Sequence, residues 1–287
     1  MTSLKRLGVK AYLRSRPPTY RVPFAGREVS LLTDTPYTKS WYYRNRLRRA
    51  IHGYYEPAVT LLLERLAACK HTFLDVGSHL GYFSILFASV PGNEAVAIEL
   101  DPSNFRALSR GVEAQPGEVR ARIRALNVGI SDEPGSIDLP RSRALDSSHR
   151  IGGKLDDPTE SVRVPLTTID RLAVDLGLFP DVIKIDVEGF EVHALRGARS
   201  VLANERPLLL MEVHPARIAG EGESVSDLIA ILHDASYKCY RFLEHRASAG
   251  SYLTADILAH EDPNWEVICV HECDQVGLET LAPLLID

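Results

Sequence analysis

Apolar residues along this 287-residue chain follow two alternating spacings. Short, continuous apolar runs typical of buried strands recur between longer segments in which apolar residues repeat at helical intervals. This alternation extends from about residue 55 to about residue 215, and runs at 237–242 and 265–270 add further strands. Strands that alternate with helices predict a doubly wound, mostly parallel α/β sheet, and the runs amount to seven strands.

The first strand ends at a glycine turn, Asp-Val-Gly-Ser-His-Leu-Gly over 75–81, which leads into a helix. Glycine tolerates positive φ and has no Cβ, so a ligand can approach the backbone there, beside the unpaired N–H groups of the helix. The spacing differs from the Gly-x-Gly-x-x-Gly pattern that holds a pyrophosphate, and an acid before the turn would repel a phosphate. A cationic ligand with a ribose fits better. The pattern therefore predicts S-adenosylmethionine, bound by Asp75, Gly77, Ser78 and Gly81.

Acids further along the chain are candidates for the rest of this ligand. Glu99 ends the second strand, about 20 residues beyond the turn, where a carboxylate can hold a ribose diol by paired hydrogen bonds. Ser131 and Asp132 follow a later strand-like run, and an acid at that edge could accept a hydrogen bond from the adenine amino group. The same pair before Pro-Gly is also ordinary turn chemistry, so both interpretations stay open.

The strongest signal for chemistry is a buried strand that carries the charged residues Lys184 and Asp186. Charges are rarely buried without partners. Another apolar strand leads into Glu212 and His214, and neighbouring parallel strands would bring Asp186, Glu188, Glu212 and His214 to one crevice. The cluster is interpreted in three ways: as a base that deprotonates a hydroxyl, with catalytic candidates Asp186, Glu188 and His214; as a divalent cation site at Asp186 and Glu212; or as a salt-bridge network that includes Lys184.

These motifs resemble the FkbM family of methyltransferases over about residues 55–215, most specifically in the Lys-Ile-Asp-Val-Glu-Gly element at 184–189. The resemblance implies a class I, Rossmann-like, seven-stranded methyltransferase fold, S-adenosylmethionine as cofactor, and O-methylation of sugars or polyketide-type natural products. The chain departs from the family pattern in two places. His79 stands where Asn is usual, and Leu-Asp-Pro at 100–102 stands where Pro usually follows the ribose acid directly.

Charge separates the beginning of the chain from the rest. Residues 1–60 hold 12 Lys and Arg against 3 Asp and Glu, whereas the whole chain has a net charge of −5. We predict a basic N-terminal extension or cap at 1–54 and a methyltransferase domain at 55–287. Aromatic residues lie among the arginines at 41–49, an arrangement that fits a cap for an anionic glycan or nucleotide-linked sugar, or a surface for anionic lipid headgroups. A helix that packs its Trp and Tyr on the domain is the third interpretation.

The least regular internal segment, 141–158, lies between the adenine-side turn and the predicted fourth strand. Long loops at the carboxyl edge of such sheets commonly contact substrate, so Ser147, Ser148 and His149 are candidate substrate residues, with a mobile polar loop as the alternative.

Apolar stretches of membrane-spanning length and a signal-type leader are missing from the sequence, and the four cysteines lack the density of a disulfide framework. We predict a cytoplasmic protein, with peripheral membrane contact through the basic segment as an open alternative.

The predicted function is an S-adenosylmethionine-dependent O-methyltransferase that acts on a small-molecule or glycan hydroxyl by in-line transfer, with assistance from a base or a metal. Two other classes remain open. A nucleotide-sugar oxidoreductase would need the phosphate-binding glycine pattern, which is missing here. A non-catalytic cofactor-binding or scaffold protein would use the basic arm to meet its partner. Nucleic acid is an unfavoured substrate, because the overall charge is acidic and base-stacking modules are missing.

Overall fold

The computed structural model describes the chain in several stretches, namely residue 13 and residues 15–48, 54–140, 161–243, 253–255 and 264–285. In these stretches, we find no helix with the length and apolar character needed to cross a bilayer.

The N-terminal segment folds into a hairpin and a helix. Strands β1 (Thr19–Phe24) and β2 (Arg27–Leu32) pair antiparallel. Helix α1 (Pro36–Arg48) follows. Apolar side chains of all three elements are buried in one cluster with α2 (Pro57–Leu66), as the alternating burial of the two strands requires. The hairpin therefore packs on the rest of the fold. The division at residue 54 stays a prediction.

Eleven further strands are described. In chain order they are β3 (Thr72–Val76), β4 (Glu94–Ile98), β5 (Ile123–Leu126), β6 (Gly129–Ile130), β7 (Gly135–Pro140), β8 (Ser161–Thr167), β9 (Val182–Ile185), β10 (Leu208–Val213), β11 (Tyr237–Phe242), β12 (Leu253–Thr254) and β13 (Trp265–His271).

The helices that alternate with them are, in chain order, α3 (Tyr82–Ser89), α4 (Pro102–Glu113), α5 (Gly117–Arg120), α6 (Ile169–Leu176), α7 (Glu191–Arg196), α8 (Arg199–Asn204), α9 (Pro215–Gly220), α10 (Val225–Asp234) and α11 (Gln275–Leu281), followed by a short 3₁₀ helix (Ala282–Leu284).

The central sheet has eight strands in the order β12-β11-β13-β10-β9-β3-β4-β5. Strands β10, β9, β3, β4 and β5 are parallel, and β13 inserts antiparallel between β10 and β11. The predicted doubly wound, mostly parallel α/β fold of the class I methyltransferase type is thus confirmed. The strand beyond the predicted seven is the two-residue β12 at the sheet edge.

Strand order reverses between β3 and β9. The chain runs from β3 outward to β4 and β5, then returns to place β9 on the other side of β3. Crossover connections leave these two neighbouring strands in opposite directions, which opens a crevice at their carboxyl ends. The motifs that follow β3 and β9 meet at this crevice.

A smaller sheet, in the order β6-β8-β7, lies outside the central one. The strand that follows the irregular segment, β8, pairs parallel with β6 and antiparallel with β7. The fourth strand predicted for the main sheet is the run at 182–187, which corresponds to β9 (Val182–Ile185). The side chains of β8 are mostly exposed or half-buried, which suits a peripheral sheet better than a strand covered on both faces.

Candidate active site

The glycine turn is held tightly against the two neighbouring strands. The backbone N–H groups of Gly77 and Ser78 donate to the Ile98 carbonyl at 3.0 and 2.8 Å. Gly77 has φ +84°, and a Cβ built on it would overlap the backbone carbonyl oxygen of Asp186. Gly81, with φ +75°, begins α3. The first glycine therefore allows the ends of β3 and β9 to approach each other more closely than any side chain would permit.

Asp75 lies at the end of β3 and is buried. Its Oδ2 accepts a hydrogen bond from the Ser84 hydroxyl at 2.6 Å. Burial raises the pKa of Asp75 to about 6, although the Lys184 ammonium and the Ser84 hydrogen bond act in the opposite direction. This carboxyl group lines a cavity that the glycine turn, Lys184 and Asp186 also line.

Glu99 lies directly after β4, and the glycine turn contacts its carboxylate. Oε2 accepts from the His79 backbone N–H and Oε1 from the Asp101 backbone N–H, both at 2.8 Å. The Asp101 side chain caps α4 by accepting from two backbone N–H groups of its first turn. The departure from the family pattern at 100–102 therefore leaves Glu99 in place. The geometry fits the predicted ribose contact, which stays a prediction.

Burial raises the pKa of Glu99 to about 7 from its usual 4.5, because its backbone hydrogen bonds compensate only part of the desolvation. The folded protein therefore holds this proton at pH values where the unfolded chain has lost it. The resulting stability is fully present below about pH 4.5 and is lost as the pH rises through 7, a change of up to about 3 kcal/mol. The pKa of Asp75 is also raised, to about 6, so its contribution to stability likewise decreases as the pH rises.

We therefore expect the thermal midpoint of the ligand-free protein to fall between about pH 5 and about pH 8, as followed by differential scanning calorimetry. Glu99→Gln should flatten this slope, because an amide does not titrate. Glu223→Gln, which alters a carboxylate paired with Arg196, is the control and should keep the wild-type slope. Equal slopes in all three proteins would contradict the assignment to Glu99.

The predicted adenine-side pair lies after β6. The Ser131 hydroxyl donates to Asp132 Oδ1 at 3.0 Å, and Asp132 Oδ2 lies 3.1 Å from His193 Nδ1. Partial burial acts to raise the pKa of Asp132, but the hydrogen bonds from His193 and Ser131 outweigh it and lower that pKa. His193 also stacks on Phe190. Sequence reasoning missed His193, and the adenine contact of Ser131 and Asp132 stays a prediction.

The chemical candidates at the ends of β9 and β10 lie together, as the sequence predicted. The two strands pair in parallel with Ile185 opposite Met211. His214 Nε2 lies 3.2 Å from Glu188 Oε2 and 3.7 Å from Glu212 Oε1. Ligand atoms of Asp186, Glu212 and His214 all fall within 4.8 Å of one another, a spacing that could hold a metal ion. These side chains could therefore serve as a base or as metal ligands.

His214 is buried, and a carboxylate fixes the other side of its ring. Its Nδ1 lies 2.8 Å from Oε1 of Glu191, a fully buried side chain that also accepts from the Gly189 N–H. Burial alone would lower the pKa of His214, but the hydrogen bond to Glu191 and the charges of Asp186, Glu191 and Glu212 raise it. Sequence reasoning did not select Glu191. Its position in the first turn of α7 is typical of an acid that stabilises a helix.

The two carboxyl groups of the crevice that lie at strand ends, Glu212 and Asp186, have pKa values shifted in opposite directions. Burial, together with the nearby charges of Asp186 and Glu56, raises the pKa of Glu212 to about 7. Asp186 Oδ2 lies 3.2 Å from the Lys184 ammonium. Burial acts to raise the pKa of Asp186, but Lys184 and His214 outweigh it and lower that pKa. Lys184 also lies 4.0 Å from Glu56, so the predicted ionic network exists beside the catalytic candidates. In addition, Glu188 makes a close ion pair with Arg217.

Helix α1 reaches the glycine turn. The Tyr37 hydroxyl lies 2.9 Å from His79 Nε2, and the Trp41 ring contacts the rings of His79 and Tyr55 at centroid distances of 5.3 and 4.3 Å. Trp41 and Tyr55 both line the cavity. The aromatic residues of this helix therefore pack on the domain, and Trp41 also borders the site. The candidate substrate residues Ser147, Ser148 and His149 lie outside the described residues.

A model of the methyltransferase FkbM domain matches residues 75–239. The chain belongs to this family. The match begins at Asp75, contains the glycine turn, Glu99 and the charged crevice, and confirms the resemblance drawn from the motifs.

Two curated proteins are similar to this FkbM family member. The hexuronic acid methyltransferase AglP of Haloferax volcanii is 29% identical over 163 residues, which are 55% of this chain and 62% of AglP. The antimetabolite synthetase AmbE of Pseudomonas aeruginosa is 28% identical over 221 residues, or 58% of this chain and 10% of AmbE. The chain thus spans less than two thirds of either relative. The crystal structure of methyltransferase FkbM from Methylobacillus flagellatus is 18% identical, with a TM-score of 0.45, and the match covers 70% of this chain and 44% of that one.

The family implies S-adenosylmethionine as cofactor, and the cavity suits that molecule. Two carboxylates, Asp75 and Asp186, and one ammonium, Lys184, line the cavity, so its ionised groups carry a negative balance that favours a cationic ligand. Gly77 lets the carbonyl of Asp186 approach the turn, which brings the end of β9 to this cavity. Glu99 lies beside the same turn, at the end of the neighbouring strand.

Proposed function

We propose that this protein transfers a methyl group from S-adenosylmethionine to a hydroxyl of a sugar, a glycan or glycolipid, or a related natural product. The observation that carries the proposal is the position of Asp186. This residue lines the donor cavity and also belongs to the cluster with Glu212 and His214. Proton-accepting groups therefore border the cavity that suits the donor. Family membership and the similarity to a protein named as a hexuronic acid methyltransferase support the same proposal.

Bound S-adenosylmethionine would supply a methyl group attached to a positively charged sulfur. Because that sulfur is a good leaving group, the methyl group needs no further activation. The residues of the chain would hold and align the reactants, a contribution worth up to about 7–11 kcal/mol in favourable cases. We assign Glu99 to the ribose, Asp75, Gly77, Ser78 and Gly81 to the rest of the donor, and Ser131 and Asp132 to the adenine.

Removal of the hydroxyl proton would fall to the crevice at the ends of β9 and β10. His214 is the preferred base, because Glu191 fixes its Nδ1 and leaves Nε2 on the side of Glu188 and Glu212. A carboxylate on one ring nitrogen orients the ring and stabilises the imidazolium that forms when the other nitrogen accepts a proton. Asp186 and Glu188 are alternative bases. A divalent cation at Asp186 and Glu212 would instead lower the pKa of the hydroxyl directly.

The test is a transfer assay with S-adenosylmethionine labelled on its methyl group and a panel of acceptors. The panel should contain hexuronic acid glycans, neutral glycans, and matched compounds in which an amine replaces the hydroxyl. The expected result is label on an acceptor oxygen, located by tandem mass spectrometry. Label on nitrogen or carbon would contradict the O-methyl assignment. Binding of NAD without S-adenosylmethionine would favour the oxidoreductase alternative, and donor binding without turnover on any acceptor would favour a scaffold.

Action in the cytoplasm belongs to the same proposal. For the basic segment 1–54, a cap over an anionic acceptor and a surface for anionic lipid headgroups are the two proposed roles. The acceptor candidates Ser147, Ser148 and His149 retain their predicted role within it. Their alanine variants should raise the KM for the acceptor and leave donor affinity unchanged, as measured by steady-state kinetics and calorimetry.

A further inference from the structure

Aromatic rings cover much of the donor cavity. Trp41, Tyr55, Tyr82 and Phe83 line it together with the carboxylates of Asp75 and Asp186. Two of these rings come from outside the motif that binds the donor in the proposal, since Trp41 belongs to α1 and Tyr55 precedes α2. The two ring centroids lie 4.3 Å apart at an interplanar angle of 44°. They form a continuous aromatic surface, which we call the aromatic wall.

The arrangement of the wall is fixed by its neighbours. Tyr55 packs edge-on against Tyr82 at a centroid distance of 5.6 Å, and the Tyr82 hydroxyl accepts from the Tyr55 backbone N–H. Trp41 contacts His79 in the glycine turn at 5.3 Å. The rings are thus held in position by contacts with the turn and with α3, so a ligand would meet a preformed surface.

A cation already lies over an aromatic ring in this cavity. The Lys184 ammonium is 5.1 Å from the centroid of the Phe83 ring, within the range in which a cation is attracted to the negative face of an aromatic ring. Rings and carboxylates that surround one cavity are typical of sites that recognise onium ions, because both stabilise a positive charge that has lost its water. The cavity therefore suits a sulfonium or ammonium group better than a neutral one.

We infer that Trp41 and Tyr55 hold the sulfonium end of the methyl donor by cation–π contact, so that the N-terminal segment completes the cofactor site. The inference rests on the proposed function and assigns these two residues within it. One consequence follows from the chemistry of transfer. The sulfur becomes a neutral thioether when it loses its methyl group, so the wall should favour the donor over its product and assist product release.

The test compares affinities for S-adenosylmethionine and S-adenosylhomocysteine by isothermal titration calorimetry in the full chain. Trp41→Leu should weaken binding of the cationic donor by about 30-fold, the usual scale of a desolvated cation–π contact, and should change affinity for the neutral product little. Trp41→Phe keeps an aromatic face and should retain most of the preference. Tyr55→Leu tests the second ring independently, in case the first substitution disturbs the packing of α1.

Tyr37→Phe is the matched control. Tyr37 lies in α1, like Trp41, and the substitution removes the hydroxyl that contacts His79. The two rings of the wall are unchanged, so the ratio of the two affinities should stay at the wild-type value. The inference is overturned if the Trp41→Leu and Tyr55→Leu substitutions weaken both ligands equally, which would indicate packing alone. It is also overturned if they change neither affinity and instead raise the KM for the acceptor. If the wild-type protein binds neither ligand, the proposed function itself fails, and this outcome is distinct from the other two.

Discussion

Gly77→Ala is expected to abolish binding of the methyl donor and to lower the free energy of unfolding by about 3 kcal/mol or more. Two costs combine at this position. The residue has φ +84°, and a Cβ built on it would overlap the carbonyl oxygen of Asp186. Because the obstructing atom belongs to the backbone, no rotamer change can relieve the overlap. The ends of β3 and β9 would have to separate, which would displace Asp75 and Asp186 together.

Gly92→Ala provides a control with matched backbone geometry. Gly92 has φ +86°, and no heavy atom lies within 4 Å of a Cβ built there. Its substitution should therefore incur only the left-handed backbone cost of about 1–2 kcal/mol and leave donor affinity unchanged. Denaturant unfolding gives the two free energies, and calorimetry with S-adenosylhomocysteine gives the affinities. Equal destabilisation, with ligand binding intact in both variants, would show that the close approach of the two strands is dispensable.

His214→Ala is expected to reduce kcat by about 10²- to 10⁴-fold, the range that a positioned base contributes, while donor affinity stays near the wild-type value. The wild-type rate should also fall as the pH drops through the pKa of His214, because only the neutral ring accepts a proton. That pKa is raised above its usual value, so this fall should begin at a higher pH than for an ordinary histidine. Single-turnover assays across pH measure both effects.

A chelator distinguishes the base from the metal. If His214 is the base, wild-type activity persists in EDTA and the variant stays slow whether or not Mg²⁺ is added. Loss of wild-type activity in EDTA that Mg²⁺ restores would instead assign the chemistry to a cation at Asp186 and Glu212, and Glu212→Gln should then weaken metal binding measured directly by calorimetry. His233→Ala, an exposed histidine in α10, serves as the control and should match the wild type throughout.

Much of the site was predictable from local sequence because it lies at strand ends. The glycine turn follows β3 and Glu99 follows the adjacent β4. Asp186 follows β9, and Glu212 lies near the end of β10. In a parallel sheet the strand order then determines which of these residues become neighbours. The spacing of apolar runs was sufficient to place β3, β4, β9 and β10. The juxtaposition of Glu188, Glu212 and His214 therefore needed no information beyond the pattern and the topology.

Contacts between distant segments were not predictable in the same way. In the sequence, Glu191 is typical of an acid in the first turn of a helix. Its contact with His214 is evident only in the folded chain. Tyr37 and His79 lie 42 positions apart in sequence, and no periodic pattern specifies such a pairing. The small sheet that contains Ser161–Thr167 was not predicted, because a short apolar run indicates a strand but not its neighbours.

His79 occupies a position with consequences for how the protein responds to its cofactor. Its backbone N–H donates to the carboxylate of Glu99, while its ring meets Tyr37 and Trp41 of the first helix. With Glu99 as the proposed ribose ligand, cofactor binding and docking of that helix would be linked through a single residue. By thermodynamic reciprocity, a ligand that stabilises the helix would then tighten cofactor binding, and the cofactor would stabilise the helix to the same extent.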